Sequence, residues 1–303
     1  MRSNLSHSTA IALLATLFGC VHAFAEPGEI INREWLASDI AICDKVKGIL
    51  PIKPTKFADF YAAVHALRLE SDPKPPAGRD IGFGGTTHLL QFAGGYATLE
   101  VRALVFDGRV ALMRAEYLGS DREEWKILKG ELLPHWPKNT TDGADGPRWE
   151  FADQPALDAF ESKVHQALGA RAEAKVPPAL AADYALLTDP LNDLLFGTEC
   201  GDGGDKPDAR IAMEHLMAAR GGDWVGNVLR CDNPVGRVYA AETLLATRGI
   251  ANLSKRDQDT INAIKNLDIP IAACNGCEVS DQRASALLDP KPPKTRGPAP
   301  HAP

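Results

Sequence analysis

One helix is written twice in this chain, and the repetition constrains the fold more than any other stretch. Asp208 to Gly221 and Gly236 to Gly249 align without a gap at a spacing of 28 residues, sharing Ala, Glu, Leu, Ala, Arg and Gly at matched positions. Each copy follows an acidic or amide residue and a proline, Asp205 with Pro207 and Asn233 with Pro234, the residue types that cap and open a helix. Each closes on Arg-Gly, a cation followed by a residue that enters the left-handed region at no cost. A helix of this kind buries its apolar stripe against neighbours, so the repeat predicts stacked helices. Around it, residues 179–288 read as all-helical: a segment from Pro178 to Phe196, a short one from Trp224 to Arg230, and a last one from a Ser254–Asp257 capping box to Leu267.

The first 25 residues carry a different message. Arg2, an apolar run from Ala10 to Phe18 and Ala23-Phe-Ala25 before Glu26 form an export signal that is removed on secretion. Leu17-Phe-Gly-Cys20 offers the alternative of a lipoprotein anchored at Cys20. The expected location is periplasmic or secreted, in a bacterial envelope. No later run is long and apolar enough for a transmembrane helix. Without Arg2 the chain holds 32 basic against 40 acidic residues, net near −8, and no Lys/Arg cluster, which argues against nucleic acid as a partner.

Residues 26–172 predict an α+β domain. Leu36, Ile40 and Cys43 fall on one stripe behind an Asn32 cap, and Phe57, Phe60, Tyr61, Val64 and Leu67 on another. An antiparallel β-meander follows: Thr87–Phe92, Tyr96–Phe106 and Arg109–Tyr117, turned at Gly94-Gly95 and Asp107-Gly108. A two-residue turn at Asp107-Gly108 would set Val105 opposite Val110, Ala103 opposite Leu112 and Val101 opposite Arg114. Neither face is purely polar, so helices should cover one side and a further layer part of the other. Trp125–Leu133 suits a fourth strand or a short helix, Pro134–Pro147 a loop, and Ala156–Leu168 an amphipathic helix. Residues 173–178, ending in a double proline, mark a linker, and the proline-rich residues 289–303 a disordered tail.

Asp232-Asn-Pro-Val-Gly-Arg237, with Ala240, Ala241, Leu244 and Leu245, resembles the second helix of a HEAT-like repeat, where an Asp, an Arg a few residues on and an Ala/Leu stripe recur. Two departures stand out: that family carries an aliphatic residue where this chain has Gly236, and its period is longer than 28 residues. The resemblance covers residues 205–250 and implies contact with another protein through a helical surface, without enzymatic activity. On that surface the candidate binding residues are Glu214, Arg220, Arg237 and Glu242, which would decorate or pin the repeat.

Five cysteines follow the signal. In an exported chain the expected fate of Cys200, Cys231, Cys274 and Cys277 is two disulfides, leaving Cys43 as a buried thiol. The same four would also suit a zinc site, which makes a metal or small-molecule carrier an alternative. Cys274-Asn-Gly-Cys277 lacks the strand-then-helix setting of a redox dithiol, and Glu278 stands where a haem-attachment motif needs His. The acidic loop Glu199–Asp208 lacks calcium-loop spacing, and Gly82–Thr87 lacks the lysine of a phosphate loop. His65, His165 and His215 stand alone on helices, and the chain has no GxSxG or HExxH. The reading is an exported, non-enzymatic protein-binding chain without a cofactor, its partner another envelope or secreted protein. The enzyme alternative places a site in the interdomain cleft, on the loops around Arg79–His88 and His135–Asp145.

Overall fold

A computed structural model describes residues 31–68, 77–118, 123–138, 140–142, 147–172, 175–201, 203–219 and 224–289. The signal with Cys20, the candidate Arg220 and the tail beyond Asp289 lie outside the described residues. The class is α+β. In chain order come α1 (Arg33–Lys47), α2 (Phe57–Ala66), β1 (Arg79–Gly82), β2 (Gly85–Ala93), β3 (Thr98–Phe106), β4 (Arg109–Leu118), α3 (Glu123–Leu132), β5 (Thr141–Asp142), β6 (Pro147–Ala152) and α4 (Gln154–Leu168). They are followed by α5 (Ala181–Thr188), α6 (Asp208–Ala218), α7 (Trp224–Val228), α8 (Pro234–Arg248), α9 (Lys255–Asn266), β7 (Pro270–Asn275), β8 (Glu278–Arg283) and α10 (Ala284–Leu288). No described helix is long and apolar enough to cross a membrane.

The meander is one antiparallel sheet of order β1-β2-β3-β4-β6-β5. Asp107 and Gly108 both take positive φ, 49° and 71°, as a tight hairpin turn requires. Gly94-Gly95 behaves otherwise. Neither takes positive φ; the loop is longer, and the fully buried Asp39 of α1 accepts the N–H groups of Gly95 and Tyr96, each at 3.0 Å. The Asp39 carboxyl and the Trp35 backbone crowd these glycines so closely that a Cβ at either would collide.

The expected register holds for Val105 opposite Val110 and then slips. A bulge at Ala111 pairs Leu104 with Leu112, Ala103 with Met113 and Val101 with Ala115, so Val101 does not face Arg114. Because strand side chains alternate, one extra residue returns the apolar side chains of both strands to one face. Val101, Ala103, Met113 and Ala115 therefore share the core with α1, α2 and α3. On the other face Leu104, Phe106 and Ala111 meet α4, and with it the C-terminal helices. That second core runs unbroken across the predicted linker, from Ile81 and Phe160 to Met213, Val238 and Ile271.

The two copies of the repeated helix bury matched residues: Ala212 and Leu216 in α6, Ala240 and Leu244 in α8. Their settings differ. α6 buries one stripe, whereas α8 is buried from Pro234 through Ala241 and forms the centre of the helical part. Asn233 caps α8 through bonds from Val235 and Gly236 N–H, while α6 opens at Pro207 with no side-chain cap, so Asp205 does not play the role predicted for it. Gly236 sits against the Leu187 carbonyl, where a Cβ would collide, so no larger residue fits at this position of α8. The C-terminal part is also not all helix. β7 and β8 form a hairpin turned at Gly276-Cys277, and residues 196–201 run parallel to β7 through bonds such as Cys274 N–H to the Phe196 carbonyl.

Arg237 of α8 is fully buried, and among the described residues no carboxylate accepts a hydrogen bond from it. Its guanidinium donates to the carbonyls of Cys231 (2.7 Å), Asp232 (2.7 Å) and Ile81 (3.1 Å), and lies over the Phe83 ring. Replacing Arg237 with Met should cost about 3–5 kcal/mol of unfolding free energy, since each stranded buried carbonyl costs about 1–3 kcal/mol. Lys, with one point of charge instead of a planar fork, should not restore it. Denaturant unfolding measures this; a change below about 1 kcal/mol, the range of a surface substitution, would contradict it.

Candidate functional site at the seam between sheet and helices

The bulge that keeps the core apolar also assembles a row of charges. Glu100, Arg102, Arg114 and Glu116 fall on the sheet face opposite Val101 and Met113, and β6 adds Arg148 and Glu150 beside them. The C-terminal helices cover only the apolar half of this face. Over the charged half lies the loop after α5, residues 189–194. Arg114 binds Asp189, Asn192 (3.2 Å) and Glu150 (2.9 Å), and Arg102 binds Glu100 (2.6 Å) and the Leu191 carbonyl (3.4 Å). Asn233, the cap of α8, holds the same loop by donating to the Asp189 and Asn192 carbonyls, both at 2.9 Å.

Two depressions open along this seam. A cleft of about 190 Å³ is lined by Arg79, His88, Leu89, Arg102 and Asp193, among others. A second, of about 450 Å³, is lined by Arg102, Glu116, Asp193, Lys206 and Asp208, among others. They adjoin along Arg102, Asn192, Asp193 and Leu194. Arg79 at the start of β1 bridges Asp193 and Asp281, both at 2.9 Å, and so ties sheet, loop and β7–β8 hairpin together. His88 packs on the Phe57 ring and reaches the Thr86 hydroxyl at 3.3 Å. Of the loops named for the enzyme alternative, Arg79–His88 lines the cleft; His135 lies elsewhere, against Asp44 of α1.

Of the two bridges expected among Cys200, Cys231, Cys274 and Cys277, one is present. Cys200 and Cys274 are bridged with a Cα–Cα distance of 5.6 Å, closing a loop of 74 residues that holds α6 to α9. A loop of that size makes the bridge worth about 4 kcal/mol through the unfolded chain. Cys231 is instead turned into the core at the start of α8, its sulfur 3.5 Å from the Leu187 carbonyl and 3.3 Å from that of Asn233. Cys277, exposed in the hairpin turn, takes no part in the bridge. The four sulfurs therefore do not converge on a zinc site, and the described residues hold no group of three or more Cys, His, Asp or Glu placed for a metal. Cys43 is buried and outside any bridge.

The binding-surface candidates also separate. Arg237 is interior, a correction with a plain cause: α8 is enclosed from Pro234 through Ala241. Glu242 pairs with Arg210 at 2.6 Å, and Arg210 lies over the Tyr239 ring at 4.7 Å. Glu214 pairs with Lys206 at 2.9 Å on the exposed side of α6. His215 faces Asp183 and His165 faces Arg171. What the sequence reading missed is the charged half-sheet. Its signal was the alternation Glu100-Val-Arg102 and Arg114-Ala-Glu116, readable only once the bulge sets the register. No family model, curated protein or solved structure matches the chain.

Burial pushes the thiols of Cys43 and Cys231 up to about 12. At pH 8 both should resist alkylation in the folded protein and react only on unfolding, because the thiolate is the reacting form. Unreduced, unfolded protein lacking residues 1–25 should titrate three thiols, and peptide mapping should recover Cys200 joined to Cys274. A single thiol would restore the two-bridge pattern.

Proposed function

We propose that this chain is an exported envelope protein that binds another protein without chemistry of its own, and that the seam, rather than the repeated helices, is where the partner sits. The observation that carries this reading is the state of the seam's charges. Arg79, Arg102 and Arg114 are each committed to carboxylates of the same chain, which makes a stiff, patterned surface instead of a set of groups poised to move protons. Several acceptors stand well out in solvent, Asp193 at 56% and Asp281 at 65% side-chain exposure, where a partner's cations can reach them. Apolar side chains flank them: Leu89, which lines the cleft, and Val279, which shares a hairpin face with Asp281. Exposed apolar groups beside a polar rim are the usual make-up of a protein contact.

Export accords with the Cys200–Cys274 bridge, since such bonds persist in oxidising compartments. The HEAT-like likeness belongs to the same proposal in a changed role. Asp232 and Arg237 meet within the fold, Arg237 donating to the Asp232 carbonyl, so the motif builds the support on which the seam rests.

Photocrosslinking from positions 89 and 279 in the envelope should trap one common protein, while position 211, on the exposed side of α6, should trap none. Binding of that protein, measured with purified components, should weaken on charge reversal at Asp193 and Asp281 by about tenfold or more, as rim charges contribute through steering and pairing. Crosslinks from 211 alone, or unchanged binding by the reversed variants, would return the site to the repeat helices.

A further inference from the structure

On another side of the helical part lies a pocket that the seam does not use. It has a volume of about 470 Å³, within the range of small-molecule sites, and is built where the residues after α4 pass over α6, α7, α8 and the start of α9. Leu216, Met217, Val225 and Leu244 supply an apolar side. Among the described lining residues, Arg230, Arg248 and Arg256 supply three guanidinium groups against one carboxylate, Asp257.

These arginines are not equally engaged. Arg230 is buried, with 4% of its surface exposed; its Nη2 reaches Asp257 at 2.7 Å and its Nη1 the Gly226 carbonyl at 2.8 Å. Its Nε, also buried, has no hydrogen-bond partner among the described residues. Arg256 donates to the Ala170 carbonyl, and Arg248 has no ion pair among the described residues. The N-terminus of the 12-residue α9, capped by Ser254, opens at the same place and adds the positive end of its dipole. Asp257 is held below the ordinary carboxylate range: burial opposes its charge, but bonds from Arg230 and Ser254, with Arg256 nearby, outweigh it.

Three guanidinium groups beside an apolar wall set both the charge and the shape of what fits between them. We infer that this pocket binds a small amphipathic anion, a carboxylate or phosphate head on a short apolar body. The head meets Arg230, Arg248 and Arg256 at the start of α9, and the body lies on Leu216, Met217, Val225 and Leu244. The inference is independent of the seam and of whatever docks there.

Calorimetric titration of the purified protein with octanoate, octyl phosphate, octan-1-ol and inorganic phosphate tests it. Octanoate or octyl phosphate should bind at least about tenfold more tightly than octanol and than phosphate, and the better of the two names the head group. Arg248→Ala, which removes an exposed side chain, should weaken that binding by about tenfold and leave the thermal unfolding midpoint in place, with Arg256→Ala as the second variant. Affinity should also fall as salt rises. Octanol binding as well as octanoate would show that no charge is read. Phosphate binding as well as octyl phosphate would show that the apolar side is unused. Either result, unchanged binding by both variants, or no heat from any probe would overturn the inference.

Discussion

A charged group fully inside a protein must have its donors met, and the burial of Arg237 sets the terms for the rest of this structure. Its partners are neutral carbonyls: two from the turn between α7 and α8, and one from β1 of the sheet. Burial lowers the guanidinium pKa from its usual value, but an arginine stays protonated, so the cost falls on geometry instead. The three carbonyls have to be where the fork points. That requirement joins the helical part to the edge of the sheet at one spot, and Gly236 allows the approach by having no side chain to strike Leu187. With α8 anchored there, Val238, Tyr239, Ala240 and Ala241 are enclosed, and each large side chain so buried adds about 1.5–3 kcal/mol.

The charged half of the sheet follows from the same arrangement. α4 and α8 cover Leu104, Phe106 and Ala111, but the helical part does not extend over residues 98–102 of β3. Charged side chains there are shielded from water without joining the apolar core, a setting in which an isolated charge is unfavourable and a paired one is tolerated. Glu100, 3% exposed, and Arg114, 5% exposed, accordingly sit in a network with Gln91, Arg102, Glu150 and Asp189. The loop at 189–194 closes over them and is itself fixed by Asn233, which also caps α8. Sheet, loop and central helix thus depend on one amide side chain at their meeting point.

Much of the fold could be read from local patterns. The β3–β4 hairpin turn, the Asn32, Asn233 and Ser254 caps and the buried Cys43 all lie within a few residues of the features that announce them. The misses are of another kind. The Ala111 bulge changes register for the sake of an apolar face that only forms once α1 and α2 pack on it. The β7–β8 hairpin looked like a cysteine motif because Ile271-Ala-Ala-Cys274 gains its strand partners from residue 196 and from β8. Glu100, Arg102 and Arg114 carried no motif, since their meaning lies in who sits across the strand.

By itself, the sequence determined periodicity and punctuation: where helices begin, where the chain turns, which stripe of each element is apolar. These depend on backbone torsions and neighbours three or four residues away, and every chain with this order of residues carries them. Tertiary structure alone decided that one copy of the doubled helix is central and the other peripheral, that Cys200 meets Cys274 while Cys231 stays a thiol, and that Arg237 faces inward. Those outcomes depend on distances between residues 44 to 156 positions apart. Such distances are set by how whole elements pack, and no local pattern encodes them.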